Sequence, residues 1–515
     1  MYSECLNYAG KPSPVIPFGG TSESAPLTAG VAALVIQAYA KTHGTDPTPQ
    51  QVKQIIGSTA DDIGSPADQQ GAGLIDAYKA VLAAESYRAP ASTPKPAGAT
   101  LLKSDTQLSA IDQPGTPQTL TDTVTNSGAS TQKVSLSSRA LGPYQSVKTD
   151  TVTLSDSSSP KTTDWAGAFS NCQPITFQVP AGDNRLNASI AFQNASTTDL
   201  NARVRLTLVD PNGNLAAYSV PQGNGNYGNV QVTNPTAGTW TAYVWSKVSS
   251  LGGTTGPVLF GAGVAKYTTF GQVSPQTLTL APGQSAPVTL SVTTPSTPGD
   301  SSGAIVLNSD TGASFARQTT VPVILRSLIP TGKQSFNRTL TGGNGRQFNL
   351  GETFTYEMDV PAGKPELNAA ITLADNPNNP FSAFLISPNG EALAFAANEL
   401  SSHNGSFTDE LGAQLHVLSP AQGAWKLVVE FAPQVSGTAL AEPFTMSTDQ
   451  AAVPASATGL PQASSVKLAA GAPTTYGVQV TNNGPAPEAY FIDARLPTST
   501  QLALTSLTSP ATNGR

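Results

Sequence analysis

The sequence predicts a multidomain protein in which a short helical segment precedes a series of all-β sandwich modules. Its 515 residues are more than a single hydrophobic core usually holds. Apolar residues recur at helical spacing mainly between residues 20 and 88. Beyond them, short alternating runs such as VRLTLVD and WTAYVW are bounded by Gly, Pro, Asn and Asp, a pattern typical of strands joined by turns.

Composition narrows the class of protein. Charged residues make up only 11% of the chain, and the net charge of −7 includes no Lys/Arg patch, so we expect no nucleic-acid partner. The longest apolar run, residues 31–40, is interrupted by Gln37, so we expect no membrane span. The two cysteines, Cys5 and Cys172, provide neither a disulfide framework nor a metal-binding spacing, so we expect no metal.

The same composition also bears on the cellular location. Low charge, few cysteines and many Ser and Thr residues favour a protein secreted by a bacterium. Residues 1–18 lack the basic start and the apolar core of a signal peptide. We therefore expect an extracellular protein whose signal peptide is not contained in these residues.

Three helices are expected between residues 20 and 88. The residues that follow Ser22 are apolar almost all round, which predicts a buried central helix ending near His43. The stretch TPQQ, beginning at Thr48, has the pattern of a capping box and predicts the start of a second, shorter helix. A third helix is expected after Gly73. Its predicted apolar stripe consists of Leu74, Tyr78, Val81 and Leu82.

After the helical segment, the sequence contains a linker and an internal repeat. Residues 89–99 are rich in Pro and Ala and are expected to form the linker. Three pairs of similar stretches then occur in the same order, namely VPAGDNRLNASI and VPAGKPELNAAI, LVDPNGNL and LISPNGEAL, and NPTAGTWTAYV and SPAQGAWKLVV. Their near-equal spacing predicts two copies of one jelly-roll-like sandwich, residues 161–265 and 331–445. Trp240 and Trp425 begin a late strand in each copy and are expected to anchor the cores.

A second type of module is expected around these copies. TLTDTVTNSGAS and YGVQVTNNGPAP share a strand followed by Thr-Asn-x-Gly, and TLTLAPGQSAPVTLSVTTP has the character of strand, turn and strand. We predict immunoglobulin-like sandwiches at residues 100–160 and 266–330, the second also compatible with a fibronectin-like module, and a partial one at residues 446–515.

Ser22 is the candidate nucleophile. The motif GTSESAP, residues 20–26, followed by Ala29-Gly30, resembles the serine-nucleophile motif of subtilisin-like serine proteases (subtilases, peptidase family S8). The stretch QGAGLIDAYKAV, residues 70–81, resembles the helix that closes the same domain. The resemblance implies that residues 1–88 are the C-terminal part of an α/β catalytic domain. It also implies a serine endopeptidase that hydrolyses a protein or peptide substrate through an acyl-enzyme at Ser22, without a cofactor.

Local physical chemistry agrees with a catalytic role for Ser22. A serine at a helix N-terminus presents its hydroxyl beside backbone N–H groups and the positive end of the helix dipole, which stabilise a developing oxyanion. The competing interpretation is an ordinary helix cap, which stabilises a helix by about 1 kcal/mol. The surrounding motif favours the nucleophile.

The general base that Ser22 requires is not evident in the sequence. In the family, the catalytic Asp and His and the oxyanion-hole Asn precede the serine, and these segments are not found before Ser22. His43 follows the serine and lies about 30 Å farther along the same expected helix. His403 and His416 belong to the second sandwich copy and are interpreted as surface or strand residues. We therefore expect the C-terminal part of a subtilase that is inactive as this isolated chain.

The modules after the linker leave alternatives open. The repeated sandwiches resemble the pre-peptidase C-terminal domains of secreted bacterial proteases. If the first segment is a degenerate remnant, the chain would instead be a non-catalytic adhesion array that binds a cell-surface polymer. The stretch DPNG, residues 210–213, is expected to form a β-turn rather than a calcium loop. Tyr218, Tyr227 and Trp245 are candidates for an aromatic platform that binds sugars.

Overall fold

The computed structural model confirms a helical segment followed by all-β sandwich modules. The chain divides into two compact units, Met1–Ala452 and Val453–Arg515. The residues that the structure describes are 21–87, 101–163, 167–193, 203–219, 227–309, 318–341, 352–374, 377, 379–401, 407–431, 439–450, 455–458, 475 and 477–481. The predicted linker, residues 89–99, lies outside the described residues.

The helical segment contains α1 (Thr21–His43), α2 (Pro49–Thr59), α3 (Ala67–Gln70) and α4 (Ala77–Ser86). The capping box predicted before α2 is confirmed. The Gln51 backbone N–H donates to Thr48 Oγ1 at 3.3 Å, and the Thr48 N–H donates to Gln51 Oε1 at 2.7 Å. Helix α4 begins after Asp76, whose carboxylate accepts a hydrogen bond from the Lys79 N–H at 2.9 Å.

Helix α1 is buried on one face only, so the expectation of burial all round is wrong for the described residues. Val31, Val35, Ala38 and Tyr39 pack toward α2, α4 and Leu102. The large apolar side chains on the other faces of α1 are open to solvent, because nothing in the described chain covers them. They are Leu27, Leu34 and Ile36, which are 66%, 46% and 40% exposed.

Helix α4 also buries a different face from the one predicted. Leu74 and Tyr78 are exposed, whereas the buried side chains of the helix include three alanines. These alanines, Ala80, Ala83 and Ala84, belong to the same small core as α1. Alanines permit close approach of two helices, so the contact between α1 and α4 depends on small residues that a search for large apolar side chains misses.

The strands follow in chain order. The first group is β1 (Leu101–Lys103), β2 (Leu108–Asp112), β3 (Pro117–Asn126) and β4 (Gln132–Leu141). The second group is β5 (Gln145–Leu154), β6 (Lys161–Thr163), β7 (Phe169–Val179), β8 (Arg185–Phe192), β9 (Arg205–Val209), β10 (Leu215–Tyr218), β11 (Tyr227–Thr233), β12 (Gly238–Lys247) and β13 (Gly256–Ala265). The third group is β14 (Tyr267–Thr268), β15 (Gln272–Ser274), β16 (Thr277–Leu280), β17 (Ser285–Thr293), β18 (Gly299–Ser309) and β19 (Gln318–Ser327).

A fourth group completes the first unit, and one hairpin is described in the second. The fourth group is β20 (Gln334–Thr341), β21 (Glu352–Val360), β22 (Glu366–Leu373), β23 (Phe381–Ile386), β24 (Ala392–Ala397), β25 (Glu399–Ser401), β26 (Phe407–Asp409), β27 (Gly412–Leu418), β28 (Gly423–Phe431) and β29 (Ala441–Asp449). The hairpin consists of β30 (Ala455–Thr458) and β31 (Gly477–Val480), and the rest of the predicted partial module lies outside the described residues.

The first and third groups form one immunoglobulin-like sandwich, so the prediction of two separate modules there is wrong. One sheet has the order β1-β3-β17-β15, and the facing sheet has the order β14-β4-β18-β19-β2 with β16 also on β4. Leu120 of β3 lies opposite Leu290 of β17, and Leu136 of β4 lies opposite Leu307 of β18. Each of the two segments holds strands of both sheets, so neither encloses a core without the other.

The second group is a complete sandwich inserted between β4 and β14. Its two connections to the host sandwich run side by side. Leu141, the last residue of β4, pairs with Tyr267 of β14, and the Gly142 N–H donates to the Lys266 carbonyl at 2.9 Å. Strand β5 pairs with β13 inside the inserted sandwich, so the insertion begins before the expected boundary at residue 161.

The two repeated sandwiches share one topology. The first copy has sheets β10-β9-β12-β7-β6 and β11-β8-β13-β5, and the second copy has β24-β23-β28-β21 and β27-β22-β29-β20. Trp240 and Trp425 occupy the same core position and are 1% and 0% exposed. Their indole N–H groups donate to the carbonyls of Thr236 and Ala421, both at 2.8 Å. The repeat read from the sequence is therefore a repeat of structure.

Candidate functional site

Ser22 lies in the first turn of α1 and is exposed to solvent. The first backbone N–H groups of a helix have no carbonyl acceptor within the helix. Pro26 has no N–H group, so the Ser22 carbonyl also receives no helical hydrogen bond from the residue four positions later. An exposed hydroxyl and several N–H groups thus lie together at one helix end, and these are the groups that acyl transfer requires of a nucleophile and its oxyanion stabilisers.

The residue after Ser22 is an acid that sequence reasoning did not single out. Both carboxylate oxygens of Glu23 are buried, and neither accepts a hydrogen bond in the described structure. A buried carboxylate without a donor is costly, because it has lost water without gaining a partner. Beside Ser22, the described part of the chain therefore provides no hydrogen-bond donor for the Glu23 carboxylate.

His43 does not serve Ser22, as the sequence predicts. It lies at the opposite end of α1, where its ring stacks on Tyr39 with centroids 4.0 Å apart. Nδ1 is 2.9 Å from the Tyr39 carbonyl oxygen, and Nε2 is 2.7 Å from the Tyr87 carbonyl oxygen. Both ring nitrogens thus have backbone partners, and His43 fastens the end of α1 to the end of α4.

The other two histidines belong to the second sandwich copy. His416, on β27, has Nε2 at 2.9 Å from Glu366 Oε2 on the adjacent β22. The expectation that it is a strand residue is confirmed. His403 lies outside the described residues. No histidine is therefore placed beside Ser22 in the described parts of the chain.

The loop between α2 and α4 attaches the helical segment to the sandwiches, a role that the sequence did not reveal. The Asp62 carboxylate accepts two hydrogen bonds from Arg139 on β4, at 2.8 and 2.6 Å. Gln70 and the Gly64 N–H also donate to it, at 3.0 and 2.9 Å. Burial raises the pKa of Asp62, but these hydrogen bonds outweigh it, so the pKa of the carboxyl lies below its usual value.

The same loop reaches two sandwiches at once. The Arg139 guanidinium lies 4.5 Å from the ring centroid of Tyr267, and the Tyr267 hydroxyl donates to the Gly64 carbonyl at 3.0 Å. Arg185, on β8 of the inserted sandwich, donates to Gln69 Oε1 at 2.5 Å. The orientation of the helix that carries Ser22 is thus fixed by contacts with both the host and the inserted sandwich.

Lys103 forms a second attachment, which is fully buried. Its backbone N–H donates to Ser58 Oγ at 2.9 Å, and Gln54 Nε2 donates to its carbonyl at 2.6 Å. Its ammonium group donates to the Thr320 carbonyl at 2.6 Å. Burial lowers the pKa of Lys103 to about 8, against a smaller opposite effect of the Asp122 carboxylate.

One of the three residues predicted to form the aromatic platform, Tyr227, is not on the surface. Tyr227 is 1% exposed, and its hydroxyl donates to the Leu440 carbonyl of the second copy at 3.4 Å, so it is a contact between the copies. Tyr218 and Trp245 lie on the outer face of the other sheet of the first copy. The predicted turn at Asp210 is confirmed, because its carboxylate accepts from the Asn212 and Asn214 N–H groups at 2.9 and 2.8 Å.

Comparison with known families defines two parts of the chain. Residues 12–74 match the model of the Subtilase family, and residues 175–246 match the Bacterial pre-peptidase C-terminal domain. Each match covers only part of the chain, and the second sandwich copy repeats the topology of the segment that matches the pre-peptidase C-terminal domain.

Solved structures resemble the chain only weakly. The secreted serine protease VesC from Vibrio cholerae is 8% identical, with 67% of this chain and 49% of that chain covered and a TM-score of 0.18. Tripeptidyl peptidase 2 is 11% identical, with 92% and 47% covered and a TM-score of 0.17. The M60 catalytic domain of Clostridium perfringens ZmpB with its CBM51-1 and CBM51-2 domains is 8% identical, with 70% and 46% covered and a TM-score of 0.17.

The chain spans less than half the length of each of these three chains. No curated protein matches the sequence.

Among the described helices, none combines the length and the apolar character needed to cross a membrane.

Proposed function

We propose that this protein is part of an extracellular subtilisin-like serine endopeptidase in which Ser22 is the nucleophile. Ser22 attacks the carbonyl carbon of a peptide bond, the amine leaves with a proton, and water then hydrolyses the acyl-enzyme. The observation that carries the proposal is the match of residues 12–74 to the Subtilase family, with Ser22 exposed in the first turn of α1.

The proton of the Ser22 hydroxyl needs a base, and we propose that polypeptide outside these 515 residues supplies it. His43 has both ring nitrogens engaged with backbone carbonyls, and His416 is paired with Glu366 in the second sandwich copy. Two features support an additional partner. The apolar side chains of Leu27, Leu34 and Ile36 are open to solvent, and the buried Glu23 carboxylate has no donor in the described residues.

Labelling of the protein from its natural source with a fluorophosphonate tests this proposal. The reagent phosphonylates a serine only when a base activates the hydroxyl, so the natural protein should carry the label on Ser22, identified by peptide mapping. The recombinant 515-residue chain should remain unlabelled, because loss of a triad member lowers the rate by on the order of 10⁴-fold or more.

Two variants make the outcome specific. Ser22→Ala, expressed in the source organism, should abolish labelling of this protein, whereas Ser24→Ala, two positions farther along the same helix turn, should retain it. A natural protein that does not react with the reagent, or that carries the label at another residue, would contradict the assignment of Ser22.

A further inference from the structure

The outer face of the sheet β10-β9-β12-β7-β6 in the inserted sandwich carries aromatic rings in register. Along β12, Trp240, Ala242 and Val244 point into the core, so Tyr243 and Trp245 point outward. Thr207 of β9 lies opposite Tyr243 on one side and opposite Tyr218 of β10 on the other. Three aromatic residues and a threonine therefore share one face of three adjacent strands.

Two cations border these rings. The Arg205 guanidinium lies 5.3 Å from the ring centroid of Trp245, and the Trp245 indole N–H donates to Thr207 Oγ1 at 3.0 Å. Lys247 is the next outward-facing residue of β12. Within the described residues, neither Arg205 nor Lys247 forms an ion pair with a carboxylate. The face thus presents uncompensated positive charge beside aromatic surface.

The second copy shows that the fold does not require this chemistry. The equivalent sheet, β24-β23-β28-β21, has Val428 and Glu430 at the positions of Tyr243 and Trp245. Its strands contain one Lys or Arg and four Asp or Glu, whereas the strands of the first-copy sheet contain three Lys or Arg and no Asp or Glu. The two corresponding sheets therefore have net charges of opposite sign. Only the sheet of the first copy combines positive charge with outward-facing Tyr and Trp.

We propose that this face of the inserted sandwich binds an acidic polysaccharide. The pyranose ring of a sugar has an apolar C–H face that packs flat against Tyr or Trp, and a uronate carboxylate pairs with a guanidinium through charge-assisted hydrogen bonds. The Thr207 and Thr241 hydroxyls can exchange hydrogen bonds with sugar hydroxyls. The net charge of the whole chain is −7, so a polyanion would be held by this local face rather than by general attraction.

Affinity gel electrophoresis of the complete chain tests the proposal, with polygalacturonate as the acidic polymer and pullulan as a neutral one. Polygalacturonate should retard the protein and pullulan should not, and added salt should weaken the retardation. Arg205→Gln and Tyr218→Ala should each lower the apparent affinity about tenfold. Tyr218 is 61% exposed, so its replacement should leave the melting temperature unchanged.

Phe395→Ala provides the matched control. Phe395 occupies the position of Tyr218 in the second copy, lies opposite Phe384 on the neighbouring strand and is 63% exposed. Its replacement should not change the retardation by polygalacturonate. Absence of retardation, equal retardation by pullulan, stronger binding of oligothymidylate, or an equal loss in Phe395→Ala would overturn the proposal.

Discussion

Lys103 joins helix α2 to the immunoglobulin-like sandwich through its backbone, and its ammonium group, which has no contact with solvent, donates to the Thr320 carbonyl of β19. Its pKa is about 8 in the folded protein, because burial penalises the charged form. An unfolded lysine has a pKa of about 10.4. Between these two values the unfolded chain binds more protons than the folded chain, so a rise in pH across this window stabilises the fold.

Lys103→Met should remove this pH dependence. From pH 8 to pH 10, the free energy of unfolding of the wild type should rise relative to that of the variant, measured by urea titration at each pH. Lys53→Met, at an exposed lysine of α2, is the control and should follow the wild type. A constant difference between wild type and Lys103→Met across this window would show that Lys103 is not the titrating group.

The pKa of Asp62 is also lowered in the folded protein, but here burial penalises the charged form and hydrogen bonds that favour this form outweigh the penalty. Its pKa lies below the usual value, so the stability that it contributes is complete above about pH 4 and is lost as the pH falls through the folded pKa. Asp62→Asn should lower the free energy of unfolding at pH 7 by about 3 to 5 kcal/mol, because the Arg139 charge is left without its partner.

Urea titration would measure this cost, and limited proteolysis would show whether the helical segment is released. Asp46→Asn, an exposed aspartate in the loop before α2, is the control and should change the free energy of unfolding by less than about 0.5 kcal/mol. A similar small effect of Asp62→Asn would mean that the ion pair with Arg139 contributes little to docking.

At the scale of the element, the turn before the central strand of each copy has the same backbone conformation. Gly238 and Gly423 both have a φ of 133°, and a Cβ on either would lie about 3 Å from a proline, Pro211 or Pro388. The preceding turn residues, Asn234 and Ser419, both have a φ of 48°. Corresponding glycines with the same φ and the same neighbour are required by the fold.

Gly238→Ala and Gly423→Ala should therefore destabilise their own sandwiches to a similar extent, by about 1 to 3 kcal/mol each. Gly115→Ala is the control for the conformational effect, because it has a φ of 74° but no atom near its missing Cβ. Differential scanning calorimetry of the variants would measure the changes. A large difference between the two equivalent substitutions would contradict the equivalence of the copies.

The sequence predicted correctly those structural features that depend on residues close together in the chain. The capping box at Thr48 and the repeated turns around the two tryptophans depend on residues a few positions apart. It failed for features that depend on residues far apart in the chain. Thr125 and Ser285, which hydrogen-bond across β3 and β17, are 160 residues apart, and an inserted sandwich between them looks like the next module in a series.

The candidate site shows the same limit. The motif around Ser22 is contiguous and was recognisable from the sequence. Asp62 and Arg139, which hold the helical segment in place, are 77 residues apart and lie in segments without any motif. The exposed face of α1 was misjudged because apolar residues predict burial, whereas burial also requires a neighbour.

At the scale of the molecule, the inserted sandwich should be separable from its host. The Gly142 N–H and the Lys266 carbonyl are already hydrogen-bonded, so the chain can be closed there with a short Gly-Ser connection after residues 143–265 are removed. The shortened protein should retain a cooperative unfolding transition for the immunoglobulin-like sandwich, measured by calorimetry. Residues 143–265 expressed separately should also unfold cooperatively.

Division at the boundaries that the sequence suggested provides the control. Residues 100–160 and residues 266–330, expressed separately, should each be unfolded in circular dichroism spectra, because each contains only some of the strands of each sheet. Their mixture should regain strand content. Independent folding of either piece would contradict the assignment of a single interleaved sandwich.

The adjacent entry and exit of the insertion also determine how the protein bears mechanical load. Tension applied between residues 101 and 327 is carried by the ladders of the host sandwich, and the hydrogen bond between Gly142 and Lys266 closes the path beside the insertion. The inserted sandwich is shielded until those host strands separate. In single-molecule stretching, its extension should therefore always follow that of the host, however weak the insertion is by itself.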